Sequence, residues 1–152
     1  MYKRQAVTVL RKYRQRVRPE WIDYNGHLSE AYYVLVFGLA TDAVLDQVGV
    51  DAAYRADTGC SVYTVEAHVR YLREVKPDSD LVVTSRIVGI GARKVRICHE
   101  MAVGGTLVAT EEIMALHVDS KQGGTTPFPD AVAERLTALI EPPPDYAGRS
   151  IG

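Results

Sequence analysis

The run Ala-Tyr-Tyr-Val-Leu-Val-Phe at positions 31 to 37 is apolar on every side when wound into a helix, and Leu39, Ala40, Ala43, Val44, Leu45 and Val48 continue it. A helix of that kind, about Glu30 to Val48, cannot leave a broad face in water and has to be wrapped by protein on most sides. Gly49 stops it in the C-cap role. The run is far too short to span a bilayer, so the wrapping has to come from the rest of the chain.

That material follows directly. Asp51 to Asp57 reads as a short helical piece capped by Gly59, and from Cys60 onward the hydrophobic period changes to two. Tyr63, Val65, Ala67, Val69 and Tyr71 alternate with Thr64, Glu66, His68, Arg70 and Leu72, giving a long strand before the Lys76-Pro77-Asp78 turn. Leu81 to Ile90 is the next strand. Lys94 to Val103 follows, with Val95, Ile97 and His99 on one side, and Gly104-Gly105 is a hairpin signal into Leu107 to Val118. Upstream, Arg11 to about Pro19 reads as a first strand whose Lys12, Arg14, Arg16 and Arg18 share a solvated face, as suits an edge that resists unwanted pairing. Met1 to Gln5 carries little pattern and reads as a disordered or non-native start. Downstream, an amphipathic helix at Ala131 to Ile140 precedes Pro142-Pro143-Pro144, which forbids helix and leaves an extended tail. One strand, one buried helix and then consecutive strands joined by short turns make an α+β arrangement. The 152 residues fit one domain over 1–152, with a core at about 11–120 and the C-terminal helix and tail at 129–152.

The chemistry concentrates just before the long helix, in Trp21-Ile22-Asp23-Tyr24-Asn25-Gly26-His27-Leu28-Ser29-Glu30. Asn25-Gly26 is a strong turn signal because both residues tolerate positive φ. Ser29 reads as the N-cap, its hydroxyl accepting from a first-turn N–H, while the other free N–H groups and the positive dipole end point back over the loop. Asp23 then sits beside orphan backbone donors. A carboxylate there can act as nucleophile or general base on a carbonyl whose oxyanion the helix start receives. From spacing alone, a turn or cap role explains Asp23 at least as well. His27 reads as a supporting residue that fixes loop geometry through its two nitrogens.

The remaining residues exclude more than they propose. Net charge of −1 and a pI near 6.4 argue against a general nucleic-acid binder. Cys60 and Cys98 stand far apart without a C-x-x-C spacing and read as buried reduced thiols; His68, His99 and His117 fall on separate strands without metal-binding spacing, so no metal is called for. There is no P-loop, no G-x-G-x-x-G and no G-x-S-x-G, which removes nucleotide hydrolysis, dinucleotide binding and serine hydrolase chemistry on motif grounds. Arg93 and Lys94, at a strand-to-strand turn, can meet the phosphates of a nucleotide tail, although a solvated turn explains them equally well. No apolar signal region follows the basic start, so a cytoplasmic protein is expected.

D-x-x-G-H followed by an aromatic-rich buried helix resembles the hotdog-fold acyl-CoA thioesterases of the 4-hydroxybenzoyl-CoA thioesterase type. The resemblance covers about Arg11 to Asp119 and implies a five-stranded antiparallel sheet curled around the helix, with no cofactor. It also implies a catalytic carboxylate at Asp23, an oxyanion donor from the backbone N–H at or near Glu30, and an acyl-CoA groove between the subunits of a homodimer. Where that family usually carries two Asn after its G-H-V, this chain has Ser29 and Glu30. The segments W-I-D-Y-N-G-H-L at 21 to 28, A-T-D-A at 40 to 43, V-E-A-H-V-R-Y-L at 65 to 72, M-A-L-H-V-D at 114 to 119 and Y-A-G-R-S at 146 to 150 are similar to the betainyl-CoA thioesterases of bacterial carnitine degradation. A trimethylammonium acyl head offers no N–H and has to be met by aromatic faces and a carboxylate. Trp21, Tyr24, Tyr32 and Tyr63 are the candidate aromatic residues, and Glu30 and Glu66 the candidate charges. Three other readings stay open: a thioesterase for another short or aromatic acyl-CoA, a hotdog hydratase or dehydratase using His27 with Glu30 or Glu66, and a non-catalytic acyl-CoA binding module.

Overall fold

A computed structural model describes residues 9–151, so the expectation for Met1 to Gln5 lies outside the described residues. The elements run β1 (Tyr13–Arg16), α1 (Glu30–Gln47), α2 (Ala52–Thr58), β2 (Cys60–Tyr71), β3 (Asp80–Ile90), β4 (Lys94–Val103), β5 (Thr106–Asp119) and α3 (Asp130–Ala138). All five strands form one antiparallel sheet in the order β1-β3-β4-β5-β2. The expected α+β layout is present. Its connectivity is less simple than a run of hairpins: the stretch after Tyr71 leaves one edge of the sheet and re-enters beside β1 at the other. β2 therefore pairs with β5, not with β3.

Local signals behave as their chemistry dictates. Asp51 caps α2 by accepting from the Tyr54 N–H, and Gly59 ends it at φ 71°. Gly104 and Gly105 both take positive φ in the β4–β5 hairpin, the geometry that matches strand twist. β1 is an edge strand with Arg14 and Arg16 exposed, as expected. Pro142 to Pro144 lie outside any helix, and the tail crosses the sheet's outer side, where the Tyr146 hydroxyl donates to the His99 carbonyl and the Gly148 N–H to Glu112.

α1 lies on the inner face. Phe37 is fully buried and stacks on His99 with ring centroids 5.8 Å apart. His99 is itself fully buried, with Nε2 2.8 Å from Thr41 Oγ1 and Nδ1 2.7 Å from Ser85 Oγ. Because the Thr41 hydroxyl already donates to the Phe37 carbonyl, Nε2 must carry the proton and Nδ1 must accept from Ser85. One neutral imidazole thus ties α1 to β3 and β4, and burial holds its pKa down at about 3. His117 is similarly satisfied, donating from Nδ1 to the Thr126 carbonyl and accepting from Tyr54.

Two expectations need correction. The helix is not wrapped on most sides, since Val34 and Leu35 are 43% and 44% exposed on one face. And the alternation along β2 is broken by a bulge between Thr64 and Glu66, with Val65 as the extra residue. Before it Val62 and Thr64 oppose the inward-facing His117 and Ala115; after it Ala67, Val69 and Tyr71 oppose the inward-facing Ile113, Glu111 and Ala109. A one-residue insertion exchanges the faces, so Tyr63 lies on the opposite side from Tyr71. Cys98 is a buried thiol, as expected, with its pKa pushed up to about 11 by burial, whereas Cys60 is only half-buried.

Candidate active site

The loop before α1 folds back on itself. Asp23 N–H donates to the His27 carbonyl, Gly26 N–H returns to the Asp23 carbonyl, and Gly26 adopts φ 80°, a conformation that a side chain would strain. The Asp23 carboxylate accepts from the Asn25 N–H at 2.9 Å, an Asx turn that engages Oδ1. The loop is pinned to the body through Leu28 N–H to Val75 and Ser29 N–H to Trp21. Asp23 is thereby held half-buried at the wall of an open groove of about 820 Å³, which Tyr24, His27, Glu30, Tyr33 and Tyr71 also line.

Ser29 occupies the N-cap position, yet its side chain makes no capping bond. Tyr32 N–H donates to the Ser29 carbonyl, which leaves the Glu30 and Ala31 N–H groups without an acceptor among the described residues. Glu30, one of the two orphan donors at the positive end of this 18-residue helix, lines the same groove as Asp23, an arrangement that can receive an oxyanion.

Of the other expected site residues, His27 lines the groove, its Nε2 3.3 Å from Glu74 Oε2. Tyr24 lines the groove but is 96% exposed. Trp21 does not reach the groove: it is buried and stacks on Tyr32 at 5.4 Å, so this pair belongs to the packing beneath the loop. Tyr63 is carried to the outer face by the bulge. Glu66 is on the outer face too, near His68, Arg96 and Arg149 and away from His27, which leaves a hydratase reading only Glu30 to pair with His27. Arg93, at the exposed β3–β4 turn, donates to Thr125, and Lys94 begins β4 against Gly91; neither lines the groove of this subunit.

Sequence reading missed three residues. Tyr33, read only as part of the apolar run, meets the ring of Tyr71 edge-on, at 89° and 5.1 Å, in the groove wall. Tyr71, read only as part of an alternating strand, has its hydroxyl 3.4 Å from the Glu30 carbonyl. Glu111 was hidden within T-E-E-I, where only the register tells which of two adjacent glutamates points inward.

Residues 17–136 match the model of the thioesterase-like superfamily. The chain is 44% identical to an L-carnitine dehydrogenase/betainyl-CoA thioesterase of Agrobacterium fabrum over 97% of its own length, but it spans only 31% of that relative. It is 38% identical to a betainyl-CoA thioesterase of Pseudomonas aeruginosa, covering 95% of both chains. A candidate thioesterase from Pseudomonas putida superposes with a TM-score of 0.81 at 34% identity, over 99% of this chain and 98% of that one. A Staphylococcus aureus protein solved in complex with CoA shares the fold at a TM-score of 0.88 and 20% identity, covering 99% of each chain. Among the described residues, no single helix is long and apolar enough to cross a membrane.

Proposed function

The chain belongs to the thioesterase-like superfamily, and from that premise we propose that it hydrolyses an acyl-CoA thioester, with betainyl-CoA as the substrate and glycine betaine and CoA as products. The observation that carries the reaction is the unbonded amide of Glu30 in the groove that Asp23 lines, with the unbonded amide of Ala31 next to it in the first helical turn. The thioester carbonyl oxygen is received by these donors as it gains charge. Asp23 either attacks the carbonyl carbon or takes a proton from the water that does; the C–S bond breaks and CoA departs as a thiolate, a leaving group that needs little help. His27 and Glu74 hold the loop in register. The acyl group rests on the names of the two relatives, and the groove suits it: Tyr71 presents an exposed aromatic ring, held at right angles by the buried ring of Tyr33, the kind of wall a cation without N–H groups requires.

The test is competition between betainyl-CoA and its neutral isostere 3,3-dimethylbutyryl-CoA, in which carbon replaces nitrogen and shape is nearly kept. A cation–π contact of about 1–2 kcal/mol gives betainyl-CoA an advantage of roughly five- to thirtyfold in kcat/KM. Equal turnover would remove the cationic acyl group and leave the thioesterase reading standing.

The active form is a homodimer. β2 is a 12-residue strand at the sheet's edge, with Tyr63 and Val65 exposed on it and Val34 and Leu35 exposed on α1, a combination of free backbone edge and apolar surface that favours a second copy. Sedimentation at assay concentration should give twice the 16.8 kDa subunit mass; a fully active monomer would sink the idea. Catalysis in the cytoplasm, on a CoA ester and without metal or nucleic acid, completes the proposal.

A further inference from the structure

β5 presents Ala109, Glu111, Ile113, Ala115 and His117 to the inner face, where α1 packs. One of these is a carboxylate. Glu111 lies between His99 of β4, which the helix covers, and Val69 of β2, at the margin of the sheet that the helix leaves partly uncovered. Only 4% of its surface is exposed, and no cation or hydrogen-bond donor reaches it among the described residues. Burial acts unopposed and raises its pKa to about 7. Yet no side-chain polar atom in the described structure is both sealed from solvent and unpartnered. The carboxylate must therefore be open through a narrow gap.

Such a group is costly to retain unless something arrives to meet it. What lies beside it indicates what that is. Tyr71 stands two residues along β2 from Val69, on the same face, and Glu111 is near enough that its charge, after burial and Glu30, helps to push the Tyr71 phenol up. Tyr71 is in turn the aromatic wall of the groove, edge-on to Tyr33.

We propose that Glu111 is the counter-charge of the acyl pocket, placed behind Tyr71 to receive a cationic acyl head that can offer no hydrogen bond. The inference rests on the thioesterase reading and selects the acyl class: a quaternary or fully substituted ammonium, held between aromatic faces and one desolvated carboxylate. A primary ammonium would instead demand acceptors for three N–H bonds.

The experiment compares wild type with Glu111→Gln on betainyl-CoA and 3,3-dimethylbutyryl-CoA. The ratio of kcat/KM, cationic over neutral, should fall about tenfold in the variant, with Glu111→Asp intermediate. A ratio that stays put, or both substrates failing together, would overturn the proposal. Melting temperature guards against misfolding: Glu111→Gln should be at least as stable as wild type, because the amide relieves a buried charge, whereas a destabilised variant that also loses its dimer would make Glu111 an interface ion pair and overturn the proposal. If the wild type hydrolyses neither thioester, the thioesterase reading fails separately. Glu111 is then judged with tetramethylammonium as probe, which should raise the melting temperature of wild type and not of Glu111→Gln; equal shifts, or none, count against it.

Discussion

Asp23→Asn lowers kcat by about a hundredfold or more and leaves KM within about threefold. The amide keeps the size of the carboxylate, and its Oδ1 can still accept from the Asn25 N–H, so the turn that shapes the loop survives. What is lost is the oxygen that attacks the carbonyl or takes the proton from water, an interaction that strengthens only as the transition state forms. Steady-state hydrolysis with detection of free CoA measures the effect, and an unchanged melting temperature certifies the fold. Activity within a few-fold of wild type would return Asp23 to the turn role that its spacing alone suggests. Single-turnover reaction in labelled water bears on the route: label entering Asp23 itself marks a mixed anhydride opened at the side-chain carbonyl, whereas general-base attack puts label in the released acid alone.

The second large effect is on stability in acid. His99 is neutral in the folded protein down to about pH 3, while in the unfolded chain it takes up a proton near pH 6.5. The unfolded state therefore binds more protons between those values, and stability falls as pH falls through that window, by a few kcal/mol in total at about 1.4 kcal/mol per pH unit. Glu111 works in the opposite sense. Its pKa is raised from 4.5 to about 7, so it contributes stability at low pH that is lost as pH rises through 7. The two oppose one another between about pH 6.5 and 4.5, and below that His99 dominates this pair. Denaturant unfolding at a series of pH values, on wild type and on His99→Gln, isolates the imidazole: the variant should be weaker at neutral pH and should lose less stability on acidification. Equal acid slopes would deny the imidazole this part.

Much of the fold was legible because its determinants are local. The apolar run from Ala31, the cap at Asp51, the glycines at 59 and 104–105 and the alternation from Val95 to Met101 each act within a few residues of where they stand, and α1, α2, β4 and β5 lie within a residue of their expected places, while β1 is shorter than expected. Sheet order is different. Whether β2 meets β3 or β5 is decided by burial of distant faces, and nothing between Tyr71 and Asp80 announces the crossing. The β2 bulge has the same character: Val65 is as good a strand residue as its neighbours, and only the partner strand reveals that it is extra. That one residue accounts for Tyr63, which shares the parity of Tyr71 in sequence but not in space. Trp21 and Tyr32 went to the core for a related reason, since an aromatic side chain near a reactive loop carries no local mark of whether it faces the groove or the floor. The turn at Asn25-Gly26 and the helix start at Glu30 were legible because both are written in adjacent residues. The Ser29 hydroxyl was misjudged because its position fits a cap while its geometry makes no such bond.

The crossing from β2 to β3 also dictates an order of assembly. β3, β4 and β5 are joined by short turns and pair with their sequence neighbours, so the chain can build them early at small loss of chain entropy. β2 can be added only by closing the loop that brings Tyr71 to Ala109, and β1 only by bringing Arg16 to Asp80. Such distant pairings are the slow steps of folding. The groove is made from the loop after β1, the start of α1 and the far end of β2, the pieces that these late closures deliver. A nascent or partly unfolded chain can thus hold an intact three-stranded meander while having no groove at all, and recovery of activity after denaturation should lag behind recovery of sheet.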